Sequence, residues 1–140
     1  MTARTLLGFD YGARHIGVAV GQQITHTATA LETLALRHHR PDWSAITRLV
    51  AEWQPQAFVV GVPLNQDGSE NPVTRAARRF GHQLHGRYNL PVHTIDERLS
   101  SHAAADLIEN ASSRKARGDV DKFAAQIILQ TWLNHPGAHP

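Results

Sequence analysis

RTLLGFDYGARHIGVAVG, residues 4–21, is the stretch on which the fold turns. Residues 4–10 are short, apolar and compatible with a β-strand, and they end on an acid, Asp10. The turn YGAR follows, then HIGVAVG, a second apolar run with β-branched residues and glycines. A carboxylate is costly inside an apolar strand, because it must be desolvated without a partner. At the strand's carboxyl end the cost falls, and a cation can offset it. Gly12 beside Asp10 leaves room for a phosphate backbone to approach. A turn-capping Asp is the competing reading of the same residue.

Outward from this stretch, THTATALETLAL at 25–36 reads as a third strand, so three strands with short links predict an antiparallel meander. The period then changes. In PDWSAITRLVAEWQP, Trp43, Ile46, Leu49, Val50 and Trp53 recur at spacings of three and four, which predicts an amphipathic helix. Asp42 or Ser44 would cap it and Pro55 would close it. AFVVGVP at 57–63 is a continuous apolar run, the pattern of a strand buried on both faces. The polar loop LNQDGSEN leads into a helix from Pro72 to about Tyr88, and PVHTIDER at 91–98 is a fifth strand ending in acids. Helices are expected at about 101–111 and 120–134, separated by the short basic segment SSRKARG. The order βββαβαβαα implies an α/β fold of the RNase H-like architecture. Its five-stranded sheet would be mixed, antiparallel over strands 1–3 and then parallel, with helices on both faces.

In this arrangement the acids converge. Asp96 and Glu97 close the fifth strand and face different ways, since side chains alternate along a strand. One would point into the site while the other serves as a structural partner. Asp119 and Asp121 open the last helix, where capping and the helix dipole also favour acids. Asp119, after Gly118, suits an N-cap; Asp121 shares a face with Ala124, Ala125 and Ile128, the small apolar side that would pack on the sheet. Ligands of open α/β sheets bind at the carboxyl edge of the strands. Carboxylates gathered there suit Mg²⁺ or Mn²⁺. Two such ions about 4 Å apart would activate water and stabilise the leaving oxygen of a phosphodiester.

Composition agrees. A chain of 140 residues suits one domain over 1–140, with 135–140 a frayed tail. With 41% hydrophobic and 19% charged residues it is an ordinary globular chain. There is no cysteine, which excludes disulfides, zinc–thiolate sites and thiol nucleophiles. No signal peptide or span of ~18 apolar residues is evident, so a cytoplasmic protein away from membranes is expected. The net charge of +2 hides fourteen basic residues. Twelve are Arg, which leaves a basic surface around an acidic pit. The ten histidines, His38-His39 included, show no metal-ligand spacing.

GFDYGARHIGVAVG, GVPLNQDGSE, DERLSS and VDKFAAQIIL resemble the four signature blocks of the YqgF (RuvX) family, over about Leu6 to Leu133. That resemblance implies an RNase H-like metal-dependent nuclease that processes the 5′ end of precursor 16S ribosomal RNA, with Holliday-junction resolution as the older assignment. It implies Asp10, Glu97 and Asp121 as catalytic metal ligands. Gly61, Pro63, Asn65 and Gly68 would belong to a central loop bordering the substrate groove. Arg14, Asn65, Arg98, Arg114, Lys115 and Arg117 are the expected substrate contacts. Nucleic acid is the expected partner, precursor rRNA or branched DNA, with ribosome association and a monomer or weak homodimer. Two positions depart from the pattern: His15, where a second basic residue often follows Arg14, and Asp119, where a basic or neutral residue is usual. A sugar-kinase or actin-like ATPase would share the DxG turn, but needs a second domain, and no P-loop is present. A noncatalytic nucleic-acid-binding module would gain nothing from carboxylates that repel phosphate.

Overall fold

The structure is a computed structural model that describes residues 4–99 and 120–134. The expected helix at 101–111, Arg114, Lys115, Arg117, Asp119 and the tail 135–140 lie outside the described residues. The sheet comprises β1 (Thr5–Tyr11), β2 (His15–Gln22), β3 (Thr27–Ala35), β4 (Ala57–Val62) and β5 (Val92–Asp96). Its spatial order is β3-β2-β1-β4-β5, antiparallel among the first three strands and parallel from β1 to β4 to β5. The mixed sheet expected from the sequence is therefore present.

Helices α1 (Trp43–Trp53) and α2 (Pro72–Tyr88) cover one face, and α3 (Val120–Asn134) covers the other. Alternation along β1 divides its side chains accordingly. Leu7, Phe9 and Tyr11 join Ile46, Leu49, Ala77, Phe80 and Leu84 under α1 and α2. Leu6 joins Val59, Ile95, Ala125, Ile128 and Leu129 under α3. Burying each such large apolar side chain is worth about 1.5–3 kcal/mol. The Phe80 ring sits 5.3 Å from Phe9, 5.3 Å from Tyr11 and 5.5 Å from Trp43, an aromatic knot that fixes α2 across the end of β1. Every residue of β4 is buried, as its unbroken apolar run requires.

The caps explain the helix bounds. Asp42, rather than Ser44, caps α1, its carboxylate accepting from Ala45 N at 3.1 Å. Asn71 and Thr74 form a reciprocal capping box at the start of α2, with Pro72 in the first turn. Across the sheet, α3 also serves the edge strand. Gln126 Nε2 donates to Ala28 O at 3.0 Å and Gln130 Oε1 accepts from Ala28 N at 3.1 Å, doing for β3 what a further strand would do.

Two expectations need correction. The fifth strand is shorter than 91–98: it ends at Asp96, and Glu97 opens a 3₁₀ turn, Glu97–Leu99. Gly61 lies within β4, buried beneath α3, rather than in the loop that follows the strand. Because β4 pairs with β1 on one side and β5 on the other, this residue is inside the sheet, and the apolar run alone does not reveal its neighbours.

Candidate active site

Asp10 is the penultimate residue of β1, paired in register with Gly17 of β2 on one side and Gly61 of β4 on the other. Both glycines are there because something else occupies the space above them. A β-carbon on Gly17 would lie 1.8 Å from the backbone oxygen of Asp121. One on Gly61 would lie 2.5 Å from Ile128 Cδ1 and 3.0 Å from both Cγ and Oε2 of Glu97. The first contact brings the opening turn of α3 down onto the sheet. The second lets Glu97 lean back from the end of β5 across β4 toward Asp10.

Asp10 and Glu97 meet in a hydrogen bond between their carboxyl groups. Burial, then the negative charge of Asp10, pushes Glu97 up to about 9. The pair therefore keeps a proton at neutral pH, held between the two carboxyl groups. Asp10 is itself raised, chiefly by burial, opposed by the Glu97 hydrogen bond and reinforced by the charge of Asp121. Asp121 stands at the rim: it reaches Asp10 through its charge, while its Oδ2 lies 3.6 Å from Nδ1 of His15. Among the described residues no three His, Asp or Glu side chains already form a group that could hold a metal ion. The structure thus joins Asp10 to Glu97 and sets Asp121 close enough for its charge to act on Asp10.

Asp96 is engaged by Arg98. Its Oδ2 accepts from Arg98 Nη2 at 2.6 Å, and this hydrogen bond holds the Asp96 carboxyl below the usual range. Arg98 in turn donates through Nη1 to Gln66 O at 3.2 Å, tying the end of β5 to the β4–α2 loop. That loop is internally ordered. Asn65 Nδ2 donates to Ser69 Oγ at 2.9 Å, and Asn65 Oδ1 accepts from Asn71 Nδ2 at 2.8 Å. Gly68 turns the chain at φ +89. The hydroxyl of the fully buried Thr74 donates to Pro63 O, pinning the loop to α2. Arg14 is exposed on the β1–β2 turn, where its carbonyl accepts from Leu36 N at 2.9 Å. Sequence reasoning missed the His15–Asp121 approach and the use of Gly17 and Gly61 as clearance. The only available signal was glycine inside two apolar strands, which marks close approach without saying of what.

Chemically the donors fit a hard divalent cation. They are all carboxylate oxygens, and the buried pair keeps a proton where a positive charge would serve equally.

Residues 4–135 match the family model described as "RuvX: Holliday junction resolvase". The chain is 53% identical over 131 residues to a Nitrosococcus oceani protein named "Putative pre-16S rRNA nuclease", covering 93% of this chain and 86% of that one. A Saccharophagus degradans protein of the same name is 45% identical over 139 residues, covering 97% and 98%. Among solved structures, Thermus thermophilus RuvC in complex with Holliday junction substrate is similar at TM-score 0.57, with 16% identity and coverage of 97% and 98%. The fowlpox virus Holliday junction resolvase is similar at TM-score 0.54, with 12% identity and coverage of 94% and 99%. At these identities the two structures bear on the fold.

Proposed function

The chain belongs to the RuvX family, and from that premise we propose that it is a divalent-metal-dependent nuclease that trims the 5′ end of precursor 16S rRNA. The observation that carries the chemistry is the buried Asp10–Glu97 carboxyl pair at the carboxyl edge of the parallel strands, with Asp121 alongside. Asp10, Glu97 and Asp121 would hold Mg²⁺ or Mn²⁺. When bound, two such ions supply an activated water and stabilise the leaving oxygen of an in-line displacement.

The chain's own residues do the rest. Glu97 gives up its proton to become a ligand, and Gly61 leaves it the room to reach Asp10. Arg98 neutralises Asp96, so that carboxylate neither competes for the cation nor repels the phosphate strand. Exposed Arg14 contacts phosphate beside Asp10, with Asn65 at the edge of the groove and Arg114, Lys115 and Arg117 on the segment before α3. Such a protein would work in the cytoplasm on nascent ribosomal particles. Among the described residues no helix is long and apolar enough to cross a membrane.

The deciding experiment incubates purified protein with a precursor 16S 5′ leader, a four-way DNA junction and linear controls, in Mg²⁺, Mn²⁺ or EDTA. Metal-dependent cleavage of the leader is expected. Cleavage of the junction alone would assign the protein to branched DNA, and no cleavage of any substrate would refute the nuclease reading.

A further inference from the structure

A cavity of about 250 Å³ opens beside the carboxyl end of β1, lined among others by Tyr11, Gly12, His39, Val73, Ala76 and Arg79. Tyr11 follows Asp10 directly but faces the opposite side of the sheet, so the cavity adjoins the acidic site without being part of it. Its wall is apolar and its rim, at His39 and Arg79, is basic.

The rim continues into a second feature that the acidic site does not use. Strand β3 runs parallel to β1, because both are antiparallel to β2, and its end at Ala35 lies opposite His15. The chain then makes a tight reversal, Arg37-His38-His39-Arg40, closed by Arg37 N to Arg40 O at 3.0 Å and Arg40 N to Arg37 O at 2.9 Å. His38 and His39 occupy left-handed backbone at φ 52 and 63, the conformation such two-residue hairpin tips demand. All four side chains are exposed. His39 lines the cavity, and Arg37, His38 and Arg40 of the same turn line a second hollow.

Among the described residues these charges are not paired with carboxylates. Arg48, Arg78 and Arg98 form salt bridges with Glu32, Glu70 and Asp96. Arg14, Arg37, Arg40 and Arg79 form none with any described carboxylate, and Asp42, which senses the charge of Arg37, is committed to capping α1. An apolar slot with Arg79 at its edge and the arginine-bearing Arg37–Arg40 turn beside it, one residue from the proposed phosphodiester-cleaving centre, matches an unstacked nucleotide. Bases pack on aromatic and aliphatic walls, and guanidinium groups take the phosphates. A base stacked within a duplex cannot enter such a slot without being extruded.

We propose that this groove seats one unstacked nucleotide of a single-stranded substrate next to the scissile phosphate, its base against Val73 and Ala76 and its flanking phosphates on Arg79 and the Arg37–Arg40 turn. This rests on the nuclease reading and adds strand selectivity to it. The test measures fluorescence anisotropy of a labelled single-stranded RNA and of the same sequence as duplex, on full-length Asp10→Asn protein in Mg²⁺ over a series of salt concentrations. Single strand binds more tightly than duplex. Ala76→Leu, which fills the slot, weakens single-strand binding about tenfold and leaves duplex binding unchanged. Arg37→Gln with Arg79→Gln, two exposed positions that leave the core intact, lowers the single-strand log–log salt slope by about 1.4 units. Arg48→Gln with Arg78→Gln changes neither. Should wild type cleave while Ala76→Leu and the Arg37/Arg79 pair bind as tightly as the parent, the groove is refuted and the nuclease reading stands. Equal loss from the Arg48/Arg78 pair would likewise overturn the groove in favour of diffuse charge. Wild type that neither binds nor cleaves would remove both.

Discussion

The backbone carbonyl of Asp121 rests on the bare α-carbon of Gly17: a β-carbon there would lie 1.8 Å from the Asp121 oxygen and 2.3 Å from its carbonyl carbon. Gly17 pairs with Asp10 in the sheet. One glycine therefore sets the height of α3 above the first acid, and with it the reach of the third.

Gly17→Ala tests this directly. The obstructing atoms are backbone, so the start of α3 must lift away. Overpacking of this kind costs about 1–3 kcal/mol. Urea denaturation should show that loss, and single-turnover cleavage should fall by at least tenfold. Wild-type cleavage in a folded Gly17→Ala protein would mean that the placement of Asp121 is not critical.

Gly61→Ala should act through two separable collisions, with Ile128 Cδ1 and with Glu97. Ile128→Val removes the first methyl group at a cost of about 0.5–1.5 kcal/mol. The double variant should regain stability relative to Gly61→Ala and stay inactive, because Glu97 is still pushed from Asp10. Recovery of both properties together would show that Gly61 serves packing alone.

The Asp10–Glu97 pair makes metal-free stability depend on pH. The folded protein keeps a proton on Glu97 up to about 9, whereas the unfolded chain releases it near the ordinary glutamate value of 4.5. Between those values the native state binds more protons, so stability falls as pH rises, by at most about 1.4 kcal/mol per unit. Asp10 is shifted in the same direction. Asp96 is shifted in the opposite one, in a window below the ordinary aspartate value of 3.8. Melting in EDTA from pH 6 to 8 should show the decline, and Glu97→Gln should flatten it. Mg²⁺ or Mn²⁺ should raise Tm more at pH 8 than at pH 6, since the cation displaces the proton. An equal Tm rise in wild type and Asp10→Asn would place metal binding elsewhere.

Asp121→Asn should abolish cleavage while leaving the circular dichroism spectrum unchanged. The amide keeps the size of the side chain but loses the charge that Asp10 senses and a cation requires. A hundredfold or greater loss, about 2.7 kcal/mol or more of transition-state stabilisation, is expected at saturating Mg²⁺. Asp119→Asn keeps a residue type suited to the N-cap position expected from the sequence and should retain most activity. An inactive Asp119→Asn beside an active Asp121→Asn would reverse the two roles.

Much of this was written in local pattern. The alternation in β1, the unbroken apolar run of β4 and the helical spacing from Trp43 to Trp53 each state how a segment buries its side chains, and burial is what the fold satisfies. Asp10 was legible for the same reason, as an acid where an apolar strand should have ended in something cheaper to bury. The sequence alone thus determined the order of the described strands and long helices, the mixed sheet and the acids at the strand ends worth testing. Residue pattern alone left Asp96 and Glu97 equivalent, the family resemblance pointed to Glu97, and only the tertiary structure supplies a physical difference between them. The strand ends at Asp96, which Arg98 neutralises, and Glu97 begins a turn that aims it across Gly61 at Asp10. The same is true of His15 beside Asp121 and of His39 and Arg79 around the Tyr11 cavity. Periodicity records which face of an element is buried. It carries no information on which two elements approach closely enough to need a glycine between them, because that distance is set by packing between segments far apart in the chain.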